Sequence, residues 1–260
     1  MLARRRVKVT VSYDGAAYQG FQLQSNGVTI QSVMEDALGR LLQETVRVRA
    51  AGRTDAGVHA RKQVIEFADS GRRSPGTIVR GGNALLPADI RFLSAEVVSP
   101  SFDVLRSAKS KEYRYFIYIA PVASPFLARY AWHLDRPIDL GSMRDGLAHI
   151  VGRHDFSSFR GQGCTARTTV REIFRAGIEA EAIPGLHSVR VAGSGFLRHM
   201  VRNVVGTLVD IGRGKGPANR VRDLLGQRDR TLAGPTAPPH GLFLWEVAYG
   251  ELRDSRSGGG

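Results

Sequence analysis

The fold is set by a short alternating stretch near the start of the chain, residues 7–13, which reads VKVTVSY. Apolar side chains at every second position, with polar ones between them, predict a half-buried β-strand. Similar periodicities predict the other elements of the first half: a helix over 30–42 capped by Thr29, strands over 46–50, 63–68 and 90–98, and a helix over 78–86. The resulting order, β-α-β-β-α-β, is that of a ferredoxin-like unit.

The second half of the chain repeats this order with one extra helix. Its predicted elements are a strand over 112–119, a helix over 140–151, strands over 170–182 and 187–192, a long helix over 196–212, a short helix over 221–225 and a strand over 242–249. We therefore expect a mixed α/β (α+β) fold. Its two ferredoxin-like halves would form an extended antiparallel mixed sheet, with helices packed on it and a cleft between the halves.

This pattern also predicts the domain organisation. Residues 1–106 would form an N-terminal α/β subdomain, and residues 107–250 a C-terminal α/β subdomain. The last ten residues, 251–260, are rich in glycine and serine and are expected to be a disordered tail.

Bulk composition excludes several classes of protein. The 260 residues are 42% hydrophobic, enough for a substantial core, and Cys164 is the single cysteine. One cysteine excludes an internal disulfide and a cysteine-rich zinc site, which favours a reducing compartment. No apolar run approaches the length of a membrane span, and the first ten residues lack the apolar core of a secretory signal. We expect a cytoplasmic protein with no membrane partner.

The charge balance points to a polyanionic partner. Lysine and arginine number 37 against 24 aspartates and glutamates, a formal net charge of +13. Such an excess favours binding to nucleic acid or to an anionic membrane surface. No basic amphipathic helix stands out, so nucleic acid is the better interpretation, although genomic base composition also inflates arginine content. A basic cleft on a sheet suits RNA better than duplex DNA, because sheets offer stacking platforms for unpaired bases.

Several chemistries find no support in the sequence. The nearest approach to a phosphate-binding P-loop, residues 212–217, lacks the required spacing and hydroxyl. The seven histidines contain no pair spaced to bind one metal ion from a single helix face. We expect neither a metal site nor a cofactor.

The loop at residues 52–59, GRTDAGVH, carries the best candidate for catalysis. Asp55 follows a predicted strand, lies between two glycines and has Arg53 close by in sequence. The glycines allow a tight turn or the close approach of a ligand, and the arginine would hold Asp55 ionised, as a base or a nucleophile requires. The alternative is an ordinary aspartate turn with a surface arginine.

This loop resembles the active-site motif of TruA-type tRNA pseudouridine synthases. Further segments agree with that family in order and spacing: YDGxxYxGFQ at 13–22, NALLPADI at 83–90, KEYRY at 111–115, HDFSSF at 154–159, HMVRN at 199–203 and GLFL at 241–244. One segment departs from it. The family usually has Phe-His-Ala-Arg after the first half, whereas residues 102–105 here read FDVL. The contact that this arginine would make is either lost or transferred to Arg106.

The resemblance implies a pseudouridine synthase fold and a cofactor-independent isomerase. Its substrates would be uridines 38, 39 and 40 in the anticodon stem-loop of tRNA, and the enzyme would be a homodimer. The resemblance assigns Asp55 as the catalytic residue, which would attack C1′, attack the base or take the 2′ proton. It assigns Tyr113 to stacking on the uracil, Arg202 to pairing with Asp55, Arg53 to supporting the loop and a phosphate, and Leu242 to an apolar wall of the pocket.

Simpler structural roles remain open for three of these residues. Tyr113 and Leu242 suit core positions of their strands, and Arg202 lies one helical turn from Arg198, which suits a solvated surface.

Two other functions of the protein are also open. A non-catalytic RNA-binding module would gain nothing from a carboxylate facing a phosphodiester. A glycosidase that releases the base usually needs paired carboxylates, and only Asp55 is evident here.

Overall fold

A computed structural model describes residues 4–250 of the chain. This part forms ten strands and five α-helices, together with three short 3-10 turns. The strands are β1 Arg5–Tyr13, β2 Arg49–Ala50, β3 His59–Asp69, β4 Ile90–Val98, β5 Ser110–Ile119, β6 Trp132–Leu134, β7 Gly152–Asp155, β8 Val170–Ala180, β9 Leu186–Gly193 and β10 Leu242–Ala248. The helices are α1 Ile30–Leu42, α2 Pro75–Leu85, α3 Leu140–Ala148, α4 Met200–Gly212 and α5 Arg220–Gln227.

All ten strands belong to one mixed sheet. Its central order is β4-β1-β3-β10-β5-β9-β8-β7, with β2 on β3 and β6 on β5. Two pairings, β10 with β3 and β5 with β6, are parallel, and the others are antiparallel. Strand β10 comes from the end of the chain, yet it lies between a strand of the first half and a strand of the second. It therefore joins the two halves into one continuous sheet.

Local sequence explains why the first elements form. From Val7 to Tyr13 the odd positions of β1 are buried and the even ones are half-buried, as the alternation predicts. Helix α1 begins at a capping box in which the Thr29 hydroxyl accepts from the Ser32 amide and the Ser32 hydroxyl accepts from the Thr29 amide. Its buried residues Ile30, Met34 and Leu38 lie on one face and join a core that extends across both halves. The predicted mixed α/β fold is confirmed.

Some predicted boundaries are wrong. The strand predicted over 46–50 is reduced to Arg49–Ala50, because Val46 and Val48 are buried but pair with no strand. The helix predicted from residue 196 begins only at Met200, because His199 has a left-handed backbone with φ 60°. Phe196 thus lies in the preceding loop. Strands β6 and β7 were not predicted, because they are too short to show a periodicity. The tail predicted over 251–260 lies outside the described residues.

Candidate active site

The loop between β2 and β3 holds Asp55 at the edge of a cavity. Its backbone is fixed from the β1–α1 connection, since the Phe21 amide donates to the Thr54 carbonyl at 3.0 Å and the Tyr13 hydroxyl bonds the Thr54 hydroxyl at 2.8 Å. Gly20 faces this loop so closely that a Cβ there would lie 2.8 Å from the Thr54 oxygen. The Asp55 side chain is about a quarter exposed (25%) and faces the cavity.

Arg202 holds the Asp55 carboxylate. Its Nη1 donates to Asp55 Oδ2 at 3.3 Å, and its Nε donates to the Ala237 carbonyl at 2.8 Å. The Ala237 amide in turn donates to the Arg202 carbonyl at 3.1 Å. The guanidinium is only 12% exposed, so the predicted pairing of Arg202 with Asp55 is present and a solvated-surface position for Arg202 is wrong.

His199 is a second neighbour of Asp55 that the sequence reasoning missed. Its Nε2 lies 3.5 Å from Asp55 Oδ2, just ahead of helix α4. Burial lowers the pKa of His199, and the Asp55 charge opposes that shift only in part. A Cβ on Gly161 would lie 2.7 Å from His199 Nδ1, so the glycine leaves room for the ring. The signal was available in the HMVRN segment, because His199 is its first residue.

Tyr113 and Leu242 form part of the cavity wall. Tyr113 is 7% exposed, and its ring meets the Phe196 ring edge-on with centroids 4.9 Å apart. Burial strongly raises the pKa of Tyr113, with a smaller contribution from Asp55, so the phenol is neutral at physiological pH. Leu242 begins β10 and is buried against Tyr115 of β5. Both residues line the cavity and also belong to the core.

Arg53 does not pair with Asp55, although the short distance between them in sequence suggested that it would. The side chain is exposed at the cavity rim, and no ion pair joins it to Asp55 in the part of the chain that the structure describes. The expectation that Arg53 holds Asp55 ionised is therefore wrong, because Arg202 and His199 are the cationic or polar side chains that reach the carboxylate. Arg53 remains free to meet a ligand at the rim.

A cavity of about 1310 Å³ brings the five predicted residues together. Its walls come from both halves of the chain, with Asp55 and Arg53 from the first and Tyr113, Arg202 and Leu242 from the second. Within residues 4–250 no group of three or more His, Cys, Asp or Glu side chains is arranged to hold a metal ion. The five predicted residues thus contribute one carboxylate, two guanidinium groups, an aromatic ring and an apolar side chain.

The segment that departs from the family pattern also borders the cavity. Leu105 lines it and is half exposed. Asp103 accepts hydrogen bonds from the amides of Leu105 and Arg106 and pairs with Arg49 at 2.8 Å, which lowers the pKa of Asp103 to about 2. These contacts make a tight turn, and Arg106 is absent from the described cavity lining.

The end of the 52–59 loop is anchored by a buried histidine. His59 is 1% exposed, with Nδ1 2.9 Å from Asp14 Oδ1 and Nε2 3.2 Å from the His240 carbonyl. Its ring stacks on Phe243 with centroids 4.5 Å apart. Burial lowers the pKa of His59, with Asp14 opposing the shift. The loop is therefore tied to β10, the strand that joins the two halves.

Comparison with known proteins places these features in a family. A family model described as tRNA pseudouridine synthase matches residues 9–105 and 147–250. The chain is 47% identical to tRNA pseudouridine synthase A of Pelobacter propionicus, over 94% of this chain and 100% of that protein. It is 45% identical to the Myxococcus xanthus protein of the same name, over 98% of this chain and 96% of the relative. The Geobacter sulfurreducens protein is 46% identical, over 94% and 100%.

Proposed function

This chain belongs to the tRNA pseudouridine synthase family, and we propose that Asp55 is the catalytic carboxylate with which it isomerises uridine to pseudouridine in tRNA. The proposed substrates are uridines 38, 39 and 40 of the anticodon stem-loop. One observation carries the assignment of Asp55: its carboxylate is held by Arg202 at 3.3 Å inside a cavity that Tyr113 and Leu242 also line.

The reaction rearranges one nucleotide without redox change. The C1′–N1 bond breaks, the uracil turns, C1′ bonds to C5, the proton leaves C5 and N1 gains a proton. Chemistry at these atoms requires access that a stacked stem denies, so the target base must be extruded into the cavity. Asp55 would attack C1′, attack the base or take the 2′ proton, and the hydrogen bond from Arg202 orients its carboxylate for each of these steps.

Tyr113 has two proposed tasks. Its ring provides a stacking surface for the uracil, and its neutral phenol is placed to relay the proton that leaves C5. The edge-on contact with Phe196 fixes the ring plane before substrate enters. Leu242 would supply an apolar wall that keeps water from the reacting atoms, and Arg53 at the rim would meet a phosphate.

We further propose that the enzyme is cytoplasmic, that its chain divides into subdomains at about residue 106, and that it is a homodimer.

For the dimer, we propose that the two copies meet through the face of the sheet that points away from the cavity. On that face the Trp245 indole lies under the guanidinium groups of Arg61 and Arg114, at 4.5 and 4.0 Å from the ring centre. Residues 4–250 include no helix long and apolar enough to cross a membrane. Sedimentation of the wild type and of Trp245→Glu would test the dimer, which is expected to weaken in the variant.

Asp55→Asn tests the catalytic assignment. The measurement is tritium release from tRNA labelled at uracil C5, and the variant is expected to lose activity by about a thousandfold or more while keeping its fold and tRNA affinity. Asp36→Asn, an exposed aspartate on α1, is the matched control and should release tritium at the wild-type rate.

The same assay separates the alternatives. Activity of Asp55→Asn within tenfold of wild type would show that another group does the chemistry. Release of free uracil by the wild type would indicate a glycosidase. Tight binding of tRNA with neither product would indicate an RNA-binding module.

A further inference from the structure

Lys111 is a buried lysine in the cavity wall to which the proposed chemistry gives no role. It is 8% exposed, lies near the start of β5 two residues before Tyr113, and points to the same face of the sheet. Its stem runs past Gly52, where a Cβ would lie 3.9 Å from Lys111 Cδ and 3.7 Å from the Tyr113 hydroxyl. The lysine therefore shares a wall with the proposed stacking residue.

The ammonium of Lys111 has no counter-charge in the described part of the chain. Among residues 4–250 no carboxylate pairs with it, and no hydrogen bond to its Nζ is formed. Burial, with a smaller contribution from the positive charge of Arg171, lowers its pKa from 10.5 to about 8. The stem of Lys111 is buried while its ammonium opens onto the cavity, and a largely desolvated charge without a protein partner costs free energy in the unliganded protein. This arrangement is typical of a group whose partner arrives with a ligand.

Arg171 on β8 lies near enough to Lys111 for its positive charge to act on the ammonium, although it is outside the described cavity lining. Its Nη1 donates to the carbonyls of Thr168 and Val170, at 2.9 and 2.6 Å, which fixes the guanidinium plane. Within the described residues no carboxylate pairs with Arg171 either. The half-buried Cys164 is the other titratable neighbour, and it acts on Arg171 rather than on Lys111. The positive charge of Arg171 thus adds to that of Lys111.

We propose that Lys111, with Arg171 beside it, binds one backbone phosphate of the RNA next to the extruded uridine. The inference rests on the proposed function, since it takes the ligand of the cavity to be an RNA strand. Uracil and ribose carry no charge, so the phosphates that flank the target nucleotide are the anions nearest to its base. An ammonium binds a phosphodiester oxygen directly, and the nearby guanidinium of Arg171 adds to the positive potential that attracts the phosphate.

The test combines one protein substitution with one RNA substitution. Lys111→Met keeps the length of the stem and removes the charge, and a methylphosphonate removes the charge of a single phosphate. Each change alone is expected to weaken binding of an anticodon stem-loop by about 10- to 100-fold when the methylphosphonate lies immediately 5′ or 3′ of the target uridine. Together they should weaken it no more than either alone, because both remove the same contact.

Two further variants control for structure and charge. Lys62→Met removes a surface lysine that pairs with Glu246, and its effect should add to that of the methylphosphonate. Lys111→Arg keeps a cation in the pocket and should remain sensitive to the methylphosphonate even if Lys111→Met folds poorly. Melting curves and circular dichroism identify variants that are unfolded.

Several results would overturn the proposal. Full additivity of Lys111→Met with a methylphosphonate at both flanking positions would show that the lysine contacts neither phosphate. Normal binding by Lys111→Met with slower tritium release would make the lysine a proton-transfer group instead. Failure of the proposed function would be recognised separately. The wild type would then bind the unmodified stem-loop without releasing tritium, irrespective of the results with the Lys111 variants.

Discussion

The Asp55 carboxylate and the Arg202 guanidinium meet at 3.3 Å although 147 positions separate them in the chain. Asp55 comes from the loop before β3, and Arg202 from the first turn of α4. Strand β10 makes the meeting possible, because it pairs with β3 on one side and with β5 on the other. The bond from Arg202 to the Ala237 carbonyl fixes the guanidinium before any substrate binds.

Arg202→Lys is expected to lower kcat by about 10- to 100-fold with a small change in KM. A lysine keeps the charge but lacks the planar fork by which two separate nitrogens donate to the Ala237 carbonyl and to Asp55, so the carboxylate loses its fixed orientation. Single-turnover tritium release measures the effect. Arg40→Lys, on the exposed side of α1, is the control and should behave as wild type. A fully active Arg202→Lys would show that charge alone suffices at this position.

Much of the fold follows from local sequence. The alternation of β1, the capping box at Thr29 and the apolar face of α1 are short-range signals, and each predicts the element that forms. The parallel pairing of β10 with β3 is different, because its strands come from opposite ends of the chain and its register includes only Phe243 with His59 and Leu244 with Ala60. No local pattern encodes that contact.

The candidate site, like the fold, could be predicted from the sequence only in part. Its loop was recognisable from GRTDAGVH, and the resemblance supplied Arg202, Tyr113 and Leu242, which the structure places around one cavity. Proximity in sequence was misleading for Arg53, since side chains of neighbouring loop residues point in different directions. The burial of Lys111 could not be predicted from local sequence. A lysine near the start of a strand normally reaches water, and only the packing of β9, β10 and Gly52 around it makes it buried.

Tyr113→Phe is expected to keep tRNA affinity and to slow isomerisation. The ring that stacks on the uracil is retained, and stacking on an aromatic ring contributes about 1–3 kcal/mol per base. The hydroxyl forms no hydrogen bond with any described residue, so its loss should change the free energy of unfolding very little. Rapid-quench analysis of the last step measures the rate, with Tyr118→Phe on the opposite face as the control.

Tyr113→Ala completes that test. It removes the stacking surface and opens a void beside Phe196, so both affinity and rate should fall. Turnover by Tyr113→Phe at the wild-type rate would limit the residue to stacking. Normal binding and reaction by Tyr113→Ala would place it in the core with no contact to substrate.

Binding of tRNA is expected to weaken steeply with salt. A chain with a net charge of +13 displaces counterions from the phosphates it contacts. The logarithm of the affinity should fall with the logarithm of salt concentration by about 0.7 per contact for a single strand. Arg53→Gln should reduce the slope by about that amount, and Arg40→Gln, outside the cavity, should leave it unchanged. A wild-type affinity that does not vary with salt would contradict a basic cleft.

Lys111→Met is expected to stabilise the free protein at neutral pH. The pKa of Lys111 is lowered from 10.5 to about 8, so folding disfavours its charged form. Below pH 8 the lysine is charged in both states and the full penalty of burial is present, which we place at about 1–3 kcal/mol. Between about pH 8 and 10.5 the folded state loses its proton first, so the penalty shrinks, and above that range both states are neutral.

The stability gain from Lys111→Met should therefore be largest at neutral pH and decline through this window. Urea unfolding of the wild type and of Lys111→Met across the alkaline range measures the difference, with Lys62→Met as a surface control that shows no such trend. A variant more stable than the wild type yet weaker for tRNA would separate the ammonium's contribution to binding from its effect on folding. Destabilisation by Lys111→Met at neutral pH would mean that the charge already has a partner in the free protein.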